Sequence, residues 1–360
     1  MADESNNRTI EQANNLYVHF PFCRRKCSYC ALYSRAGVSQ ANRDAYVRRM
    51  AKEIGTECRT PRAKLKTVYF GGGSPALCDL GVLAPALRPL CGEGTEFTVE
   101  LHPLDVTSDK LDQLKALGVN RISMGLQSLD DAVLADMGRG YTVDEAERAF
   151  ALVKRYFDNA GIDFIVGYPP PRTADGAAAE DKSWLELDRL RNWGLKHCSV
   201  YSLQNERGLK NVPSDDVVLD RIRHFAKCLK AMGLERYEIS NYAVPGYECR
   251  HNLAVWRGED YIGLGDGACG RIGLRRTKFG KEEIVTPEFD AKERMLFRLR
   301  TREGLDVRSL SNFSNFSNLS NLSNILATQV AMGLLTQSGE IYRLTERGTE
   351  VCDSILAELV

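Results

Sequence analysis

The sequence predicts an α/β fold, a partial (βα)6 barrel followed by a small C-terminal helical, winged-helix-like module. Two observations predict the barrel: short apolar or β-branched runs recur along the chain, and longer amphipathic stretches separate them. A length of 360 residues leaves room for one large domain and a smaller one. The runs expected to be strands are Leu16–Phe20, Thr67–Phe70, Phe97–Leu101, Arg121–Met124, Ile162–Val166 and His197–Tyr201.

The chain divides into three parts. Residues 1–15 are polar and contain no apolar run that could serve as a signal peptide or cross a membrane, so we expect a cytoplasmic protein without a transmembrane segment. Residues 16–285 form the predicted barrel and an extension of it, and residues 286–360 form the C-terminal module.

One helix between the predicted strands is especially clear. Leu111, Leu114 and Leu117 lie on one stripe of the segment that begins at Ser108, and Gly118 is its expected stop. The next strand then follows Val119.

In the C-terminal module, Phe289–Arg300 is an amphipathic helix, and Gly333–Leu344 reads as two short strands that turn at Ser338 and Gly339. Thr345 is expected to cap a final helix that runs to Leu359. Residues 311–324 repeat Ser-Asn-Phe or Ser-Asn-Leu with a period of three, which fits either a loose loop or a weak helix, and no function is assigned to them.

Charge and cysteine content narrow the class of protein. Lysine and arginine balance aspartate and glutamate at 48 each, so no global field attracts a polyanion, and no nucleic-acid partner is predicted. Cysteines outside the first loop show no pairing pattern and are expected to be reduced. They are Cys58, Cys78, Cys91, Cys198, Cys228, Cys249, Cys269 and Cys352.

The most informative motif is the trio Cys23, Cys27 and Cys30, directly after the first predicted strand. With this spacing, three thiolates can converge on one [4Fe-4S] cluster and leave its fourth iron without a protein ligand. A structural zinc normally has four protein ligands, and no second Cys or His pair lies at the usual spacing. A zinc site with His19 as fourth ligand stays open as the alternative.

The C-x3-C-x2-C spacing resembles the signature of the radical S-adenosylmethionine (SAM) superfamily. This resemblance implies that Cys23, Cys27 and Cys30 ligate the cluster, that SAM chelates the open iron, and that an electron donor reduces the cluster. The protein would supply ligation, a dry pocket and orientation of SAM. Tyr29, inside the last C-x2-C, matches a ring that stacks near the adenine; the alternative is that it only packs against the barrel.

The same resemblance implies further SAM contacts at the carboxyl ends of the strands, where barrel enzymes place their functional residues. The run Gly71–Pro75 resembles a GGE-type element whose backbone meets the SAM amino group, although a glycine run is more often an ordinary turn. Glu100 matches a SAM-contacting carboxylate; the alternative is a solvated glutamate. The residues expected at the SAM site are Tyr17, Tyr29, Gly72, Gly73, Ser74, Glu100, Gln127, Arg139 and Asp163.

The stretch 237–256 resembles a segment of the oxygen-independent coproporphyrinogen III oxidase-like family, and in particular of the HemW-like heme chaperones. Their H-N-x-x-Y-W motif is linked with heme. Here His251 and Trp256 keep the ends of the motif, while Val255 replaces the tyrosine and Cys269 stands where relatives often have histidine. Histidine can ligate heme iron and an indole can cover a porphyrin, but a hydrogen-bonded interior histidine with a core tryptophan is the common alternative.

The resemblance covers nearly the whole chain from Leu16 onward and favours a HemW-like heme chaperone that binds the cluster, SAM and heme and passes heme to acceptor proteins. The alternative is a radical SAM oxidoreductase acting on a tetrapyrrole, and a third possibility is a non-catalytic iron–sulfur module. Coproporphyrinogen dehydrogenases carry a further cysteine where this chain has Leu32, which makes that activity the less favoured one. The sequence does not decide whether SAM is cleaved productively.

Overall fold

A computed structural model describes residues 13–58, 64–170, 186–310 and 319–359. Most of the polar N-terminal segment and residues 311–318 of the Ser-Asn tract lie outside these described residues.

The strands and helices alternate along the first two thirds of the chain. The strands are β1 (Asn15–Phe20), β2 (Phe22–Cys23), β3 (Arg35–Ala36), β4 (Thr67–Gly72), β5 (Glu96–Leu101), β6 (Arg121–Gln127), β7 (Asn159–Val166), β8 (His197–Ser202), β9 (Glu235–Arg236), β10 (Asn241–Ala243), β11 (Ile262–Leu264), β12 (Cys269–Ile272), β13 (Arg275–Lys278), β14 (Lys281–Ile284), β15 (Leu305–Asp306), β16 (Leu335–Ser338) and β17 (Ile341–Leu344). The helices are α1 (Gln40–Glu57), α2 (Ala84–Leu87), α3 (Ser108–Leu117), α4 (Asp131–Met137), α5 (Val143–Tyr156), α6 (Asp215–Ala231), α7 (Arg250–Trp256), α8 (Pro287–Leu299), α9 (Leu319–Ala331), α10 (Glu346–Glu350) and α11 (Cys352–Glu358).

The central sheet confirms the α/β fold class. Among the described residues its strand order is β11-β1-β4-β5-β6-β7-β8-β10-β9, and the strands from β11 through β8 are parallel. All six predicted runs are strands of this sheet in chain order, with helical connections between them, as βα units require. The parallel edge strand β11 and the antiparallel strands β10 and β9 were not predicted from the sequence.

Alternation along the strands separates the apolar core from the polar interior of the barrel. On β1, Leu16, Val18 and Phe20 are fully buried in the main core, whereas Tyr17 and His19 point to the opposite face. Helix α3 spans the predicted residues, begins at the N-cap Thr107 and ends at Gly118, whose φ of 95° is left-handed. The core therefore lies between sheet and helices, and polar side chains face the barrel interior.

The C-terminal module has its own apolar core, built from α8, α9, α11 and the small sheet β15-β17-β16. The two predicted short strands are β16 and β17. The single final helix expected after Thr345 is wrong: Thr345 caps α10, and the helix is interrupted at Val351 before α11. The last part of the Ser-Asn tract begins α9 at Leu319. No helix within the described ranges is long and apolar enough to cross a membrane.

Candidate functional site

The three cysteines lie on the loop that follows β1, beside one end of the parallel sheet. Cys23 ends β2, which pairs with β3 and so closes the loop, and all three thiols are partly buried. Burial raises the pKa of Cys23, and the nearby thiols of Cys30 and Cys27 raise it further. Cys27 and Cys30 therefore lie near Cys23.

Arg139 contacts this cysteine loop from the loop after α4. Its Nη1 atom lies 3.5 Å from the sulfur of Cys27 and 3.4 Å from the hydroxyl of Tyr29. Nη2 donates to the carbonyl of Gly125 at 2.7 Å, and Nε donates to the hydroxyl of Tyr141 at 2.9 Å. The guanidinium is thus fixed in place and can stabilise negative charge on the Cys27 sulfur.

Tyr29 packs on its other side against Tyr168, with ring centroids 6.4 Å apart and nearly perpendicular planes. Gln127 ends β6 at a β-bulge and has a φ of 77°. A left-handed backbone is costly for a residue other than glycine and is often found at functional sites. The bulge lies at Gly125, so Gln127 and Arg139 occupy the same corner of the site.

Each residue of the glycine run is glycine for a packing reason. A Cβ on Gly71 would lie 2.9 Å from the Glu100 carboxyl, and one on Gly73 would lie 2.3 Å from the carbonyl oxygen of Phe22. Gly72 has a φ of 106° and packs against the ring of His19. The backbone N–H groups of Gly72 and Gly73 already donate within the protein, so this run offers a ligand mainly carbonyl acceptors.

Two carboxylates face the barrel interior. Glu100 accepts hydrogen bonds from the hydroxyl of Tyr69 at 2.8 Å and from the N–H of Gly72 at 3.0 Å. Burial raises the pKa of Glu100 to about 7, although the Tyr69 bond opposes the shift. Asp163 accepts from the hydroxyl of Ser123 at 3.0 and 3.1 Å, and burial likewise raises its pKa.

A buried aspartate that the sequence did not single out ties the cysteine loop to the glycine run. Asp105 follows β5, pairs with Arg24 at 2.5 Å and accepts a hydrogen bond from Ser74. Arg24 directly follows Cys23, so this network holds the start of the cysteine loop. Ser74 therefore has a structural partner in addition to any ligand.

The zinc alternative is not supported by the geometry of His19. Its Nε2 donates to the carbonyl of Tyr33 at 2.9 Å, which leaves Nδ1 to accept from the Tyr17 hydroxyl at 2.9 Å. Both ring nitrogens are therefore occupied. Within the described part of the chain, no group of three His, Cys, Asp or Glu side chains is arranged to hold a single metal ion.

His251 lies in the barrel interior, in an aromatic cluster with Tyr17 and Tyr69. Its ring centroid is 5.1 Å from that of Tyr69 and 6.2 Å from that of Tyr17, and the side chain is only 4% exposed. Glu96 accepts the N–H of His251 at 3.0 Å and so caps the start of α7. Tyr17 thus contacts His251 as well as His19.

Trp256 lies apart from His251, although both belong to α7. Its ring packs edge-on against Phe297 of α8 at 5.4 Å, and the Arg300 guanidinium lies 5.1 Å from the ring centroid. The structure therefore does not bring the histidine and the indole together on one face. Cys269, at the start of β12, is exposed.

Tyr69, Ser123 and Asp105 were missed by the sequence reasoning. Tyr69 could have been found, because it precedes Gly71 by two residues on a strand and therefore shares its face. Ser123 and Asp163 lie on the neighbouring strands β6 and β7, two positions out of direct register and therefore on the same face of the sheet. Asp105 gives no comparable signal, because its partners come from two distant loops.

Comparison with known proteins agrees with this arrangement. The Radical SAM superfamily matches residues 17–172, and the HemN C-terminal domain matches residues 285–351. The chain is 28% identical to the heme chaperone HemW of Lactococcus lactis over 98% of both chains. It is 33% identical to the heme chaperone HemW of Synechocystis over 73% of this chain and 68% of the relative.

The fold is also found in a solved structure. Coproporphyrinogen III oxidase (HemN) from Escherichia coli, described as a radical SAM enzyme, superposes with a TM-score of 0.80 and 20% identity, over 98% of this chain and 91% of the other. This likeness shows the fold. The identity and coverage of the relatives, with the family match, establish that the chain belongs to the radical SAM superfamily and, within it, to the HemW-like family.

Proposed function

We propose that this protein is a heme chaperone that holds a [4Fe-4S] cluster and SAM, binds heme and passes it to acceptor proteins. The observation that carries the proposal is the similarity, along nearly the full length of both chains, to proteins named heme chaperone HemW. The fold shared with HemN adds no support for a tetrapyrrole-related role, because one fold can host many activities.

The residues present fit an iron–sulfur cluster. Three partly buried thiols on one loop are the donor set that such a cluster requires, whereas His19, the candidate fourth ligand of a zinc site, has both ring nitrogens hydrogen-bonded within the protein. When bound, the cluster supplies one electron and one open coordination position. Cys23, Cys27 and Cys30 would ligate it, and Arg139 would stabilise the charge on the Cys27 sulfur.

The residues above the loop fit SAM, which carries an ammonium, a carboxylate and an adenine ring. The carbonyls of Gly72 and Gly73 can accept from the ammonium, since their N–H groups are already used. Glu100 and Asp163 can accept hydrogen bonds from other polar groups of SAM, and Arg139 and Gln127 can donate hydrogen bonds to its carboxylate. Tyr29 would pack against the adenine, and Tyr17 and Ser74 complete the proposed set.

Heme would be cargo, and His251 and Trp256 are the proposed contacts. Since they face different sides of α7, we propose that His251 serves the iron while Trp256 contributes a separate contact near α8. A heme-acceptor protein and an electron donor for the cluster are the proposed partners. The cytoplasmic location expected from the sequence stays a prediction.

The test is anaerobic reconstitution followed by two assays. Heme titration would compare the wild type with His251→Ala and with His224→Ala, a matched control on α6, a different helix from the one that carries the motif. Release of 5′-deoxyadenosine would be measured with coproporphyrinogen III as substrate.

Heme uptake that requires His251, without turnover, supports the chaperone. Turnover of coproporphyrinogen would favour the radical SAM oxidoreductase instead. A cluster-containing protein with neither property would be a non-catalytic iron–sulfur module.

A further inference from the structure

The proton on the His251 ring can be located from its surroundings. Asn15, at the start of β1, directs Nδ2 to the backbone carbonyl of Asp260 at 3.0 Å. A carbonyl only accepts hydrogen bonds, so this contact fixes the orientation of the Asn15 amide. The oxygen Oδ1 of Asn15 must therefore face the other way.

Thr67, on the neighbouring strand β4, connects Asn15 to His251. Its hydroxyl donates to Oδ1 of Asn15 at 2.9 Å, and the same oxygen lies 2.8 Å from Nδ1 of His251. A hydroxyl has a single proton, which is used toward Asn15. Thr67 can therefore only accept from His251, and Nδ1 of His251 must carry the hydrogen.

The other ring nitrogen, Nε2, then holds a free lone pair. Among the described residues this atom has no hydrogen-bond partner. Tyr17, Tyr69 and Tyr261 surround the ring with centroid distances of 5.1 to 6.3 Å. The His251 side chain is only 4% exposed among these aromatic rings, an environment that disfavours a charged imidazolium.

We propose that Thr67 and Asn15 are positioning residues that hold His251 in the Nδ1–H tautomer and so leave the lone pair of Nε2 available to heme iron. The proposal rests on the proposed function and names the groups that prepare its iron ligand. Histidine ligands of metals are commonly oriented through a hydrogen bond from their other nitrogen, and loss of that partner typically weakens binding by about 10- to 100-fold.

The test compares Thr67→Val, which keeps the branched shape and removes the hydroxyl, with Thr67→Ser, which keeps the hydroxyl. Nitrogen-15 NMR of heme-free protein reports the His251 tautomer, with His251→Ala assigning the signal. Heme titration, followed by the Soret band and by low-spin EPR, reports ligation. We expect the wild type and Thr67→Ser to show Nδ1–H, and Thr67→Val to lose that preference and bind heme about 10- to 100-fold more weakly.

An Nε2–H signal in the wild type, or a Thr67→Val protein that keeps both the Nδ1–H tautomer and full heme affinity, would overturn the proposal. A wild-type protein with the Nδ1–H tautomer that takes up no heme would instead contradict the proposed function. The tautomer is read without heme, so the two failures are distinguishable. An unchanged melting temperature in Thr67→Val would separate loss of the bond from loss of the fold.

Discussion

The Glu100 carboxyl links the candidate site to the stability of the whole chain. Burial, opposed by the hydrogen bond from Tyr69, raises its pKa from 4.5 to about 7. Between these two pH values the folded chain holds a proton that the unfolded chain has lost. The free energy of unfolding therefore falls as the pH rises through this window, by at most about 3 kcal/mol from this one group.

The substitution Glu100→Gln removes this dependence. The amide cannot ionise, and it can keep the local bonds by accepting from the N–H of Gly72 and donating to the hydroxyl of Tyr69. Relative to the wild type, the variant should gain up to about 3 kcal/mol between pH 4.5 and pH 7.5. Below pH 4.5 the Glu100 carboxyl is protonated in both the folded and the unfolded chain, so its contribution to the free energy of unfolding is fully present there.

The assay is urea unfolding of cluster-free protein, under reducing conditions, across this pH range. Glu93→Gln, at an exposed position after α2, is the matched control and should follow the wild type. If Glu100→Gln shows the same fall in unfolding free energy with pH as the wild type, the reasoning about this carboxyl is refuted. A carbon-13 titration of the Glu100 carboxyl would give its pKa directly.

The remaining predictions concern the cysteine loop, its charge and the C-terminal core. Gly73→Ala places a Cβ 2.3 Å from a backbone carbonyl oxygen and should lower the free energy of unfolding by about 1–3 kcal/mol. The control Gly55→Ala, which has open space on α1, should leave the free energy of unfolding equal or raise it by up to about 1 kcal/mol. Equal melting temperatures of the two variants would contradict this prediction. Arg139→Gln should lower the reduction potential of the reconstituted cluster, because it removes a cation 3.5 Å from the Cys27 sulfur. A redox titration monitored by EPR without SAM measures the potential, and an unchanged value would count against this contact. Leu326→Ala, in the buried core of the C-terminal module, should lower the free energy of unfolding, measured by thermal unfolding, by about 2–5 kcal/mol. The control Met332→Ala, at a side chain that is 56% exposed, should lower it by less than about 0.5 kcal/mol. Similar losses in the two variants would refute the assigned core.

The parallel strands could be predicted because each is a concentrated apolar run followed by a helical pattern. Helix α3 was predicted to the residue, since its leucine stripe and its glycine stop are both local signals. The strands near the two ends of the sheet, β9, β10 and β11, are only two or three residues long, too short for alternation to appear. Strands β13 and β14 consist largely of charged residues, which hides them in the sequence.

The candidate site divides in the same way. The cysteine motif is local, so its spacing could be read directly, and Glu100, Gln127, Arg139 and Asp163 were reached through resemblance to a family. The surroundings of His251 could not be read from the sequence, because its partner Thr67 is 184 residues away along the chain. The separation of His251 from Trp256 depends on which face of α7 packs against the barrel and which against α8.

The most direct test of the account is EPR spectroscopy of the anaerobically reconstituted and reduced protein, before and after addition of SAM. The account predicts a [4Fe-4S] signal that changes on SAM addition and that is absent from Cys27→Ala. A protein without such a signal, or with a signal that SAM leaves unchanged, would contradict it.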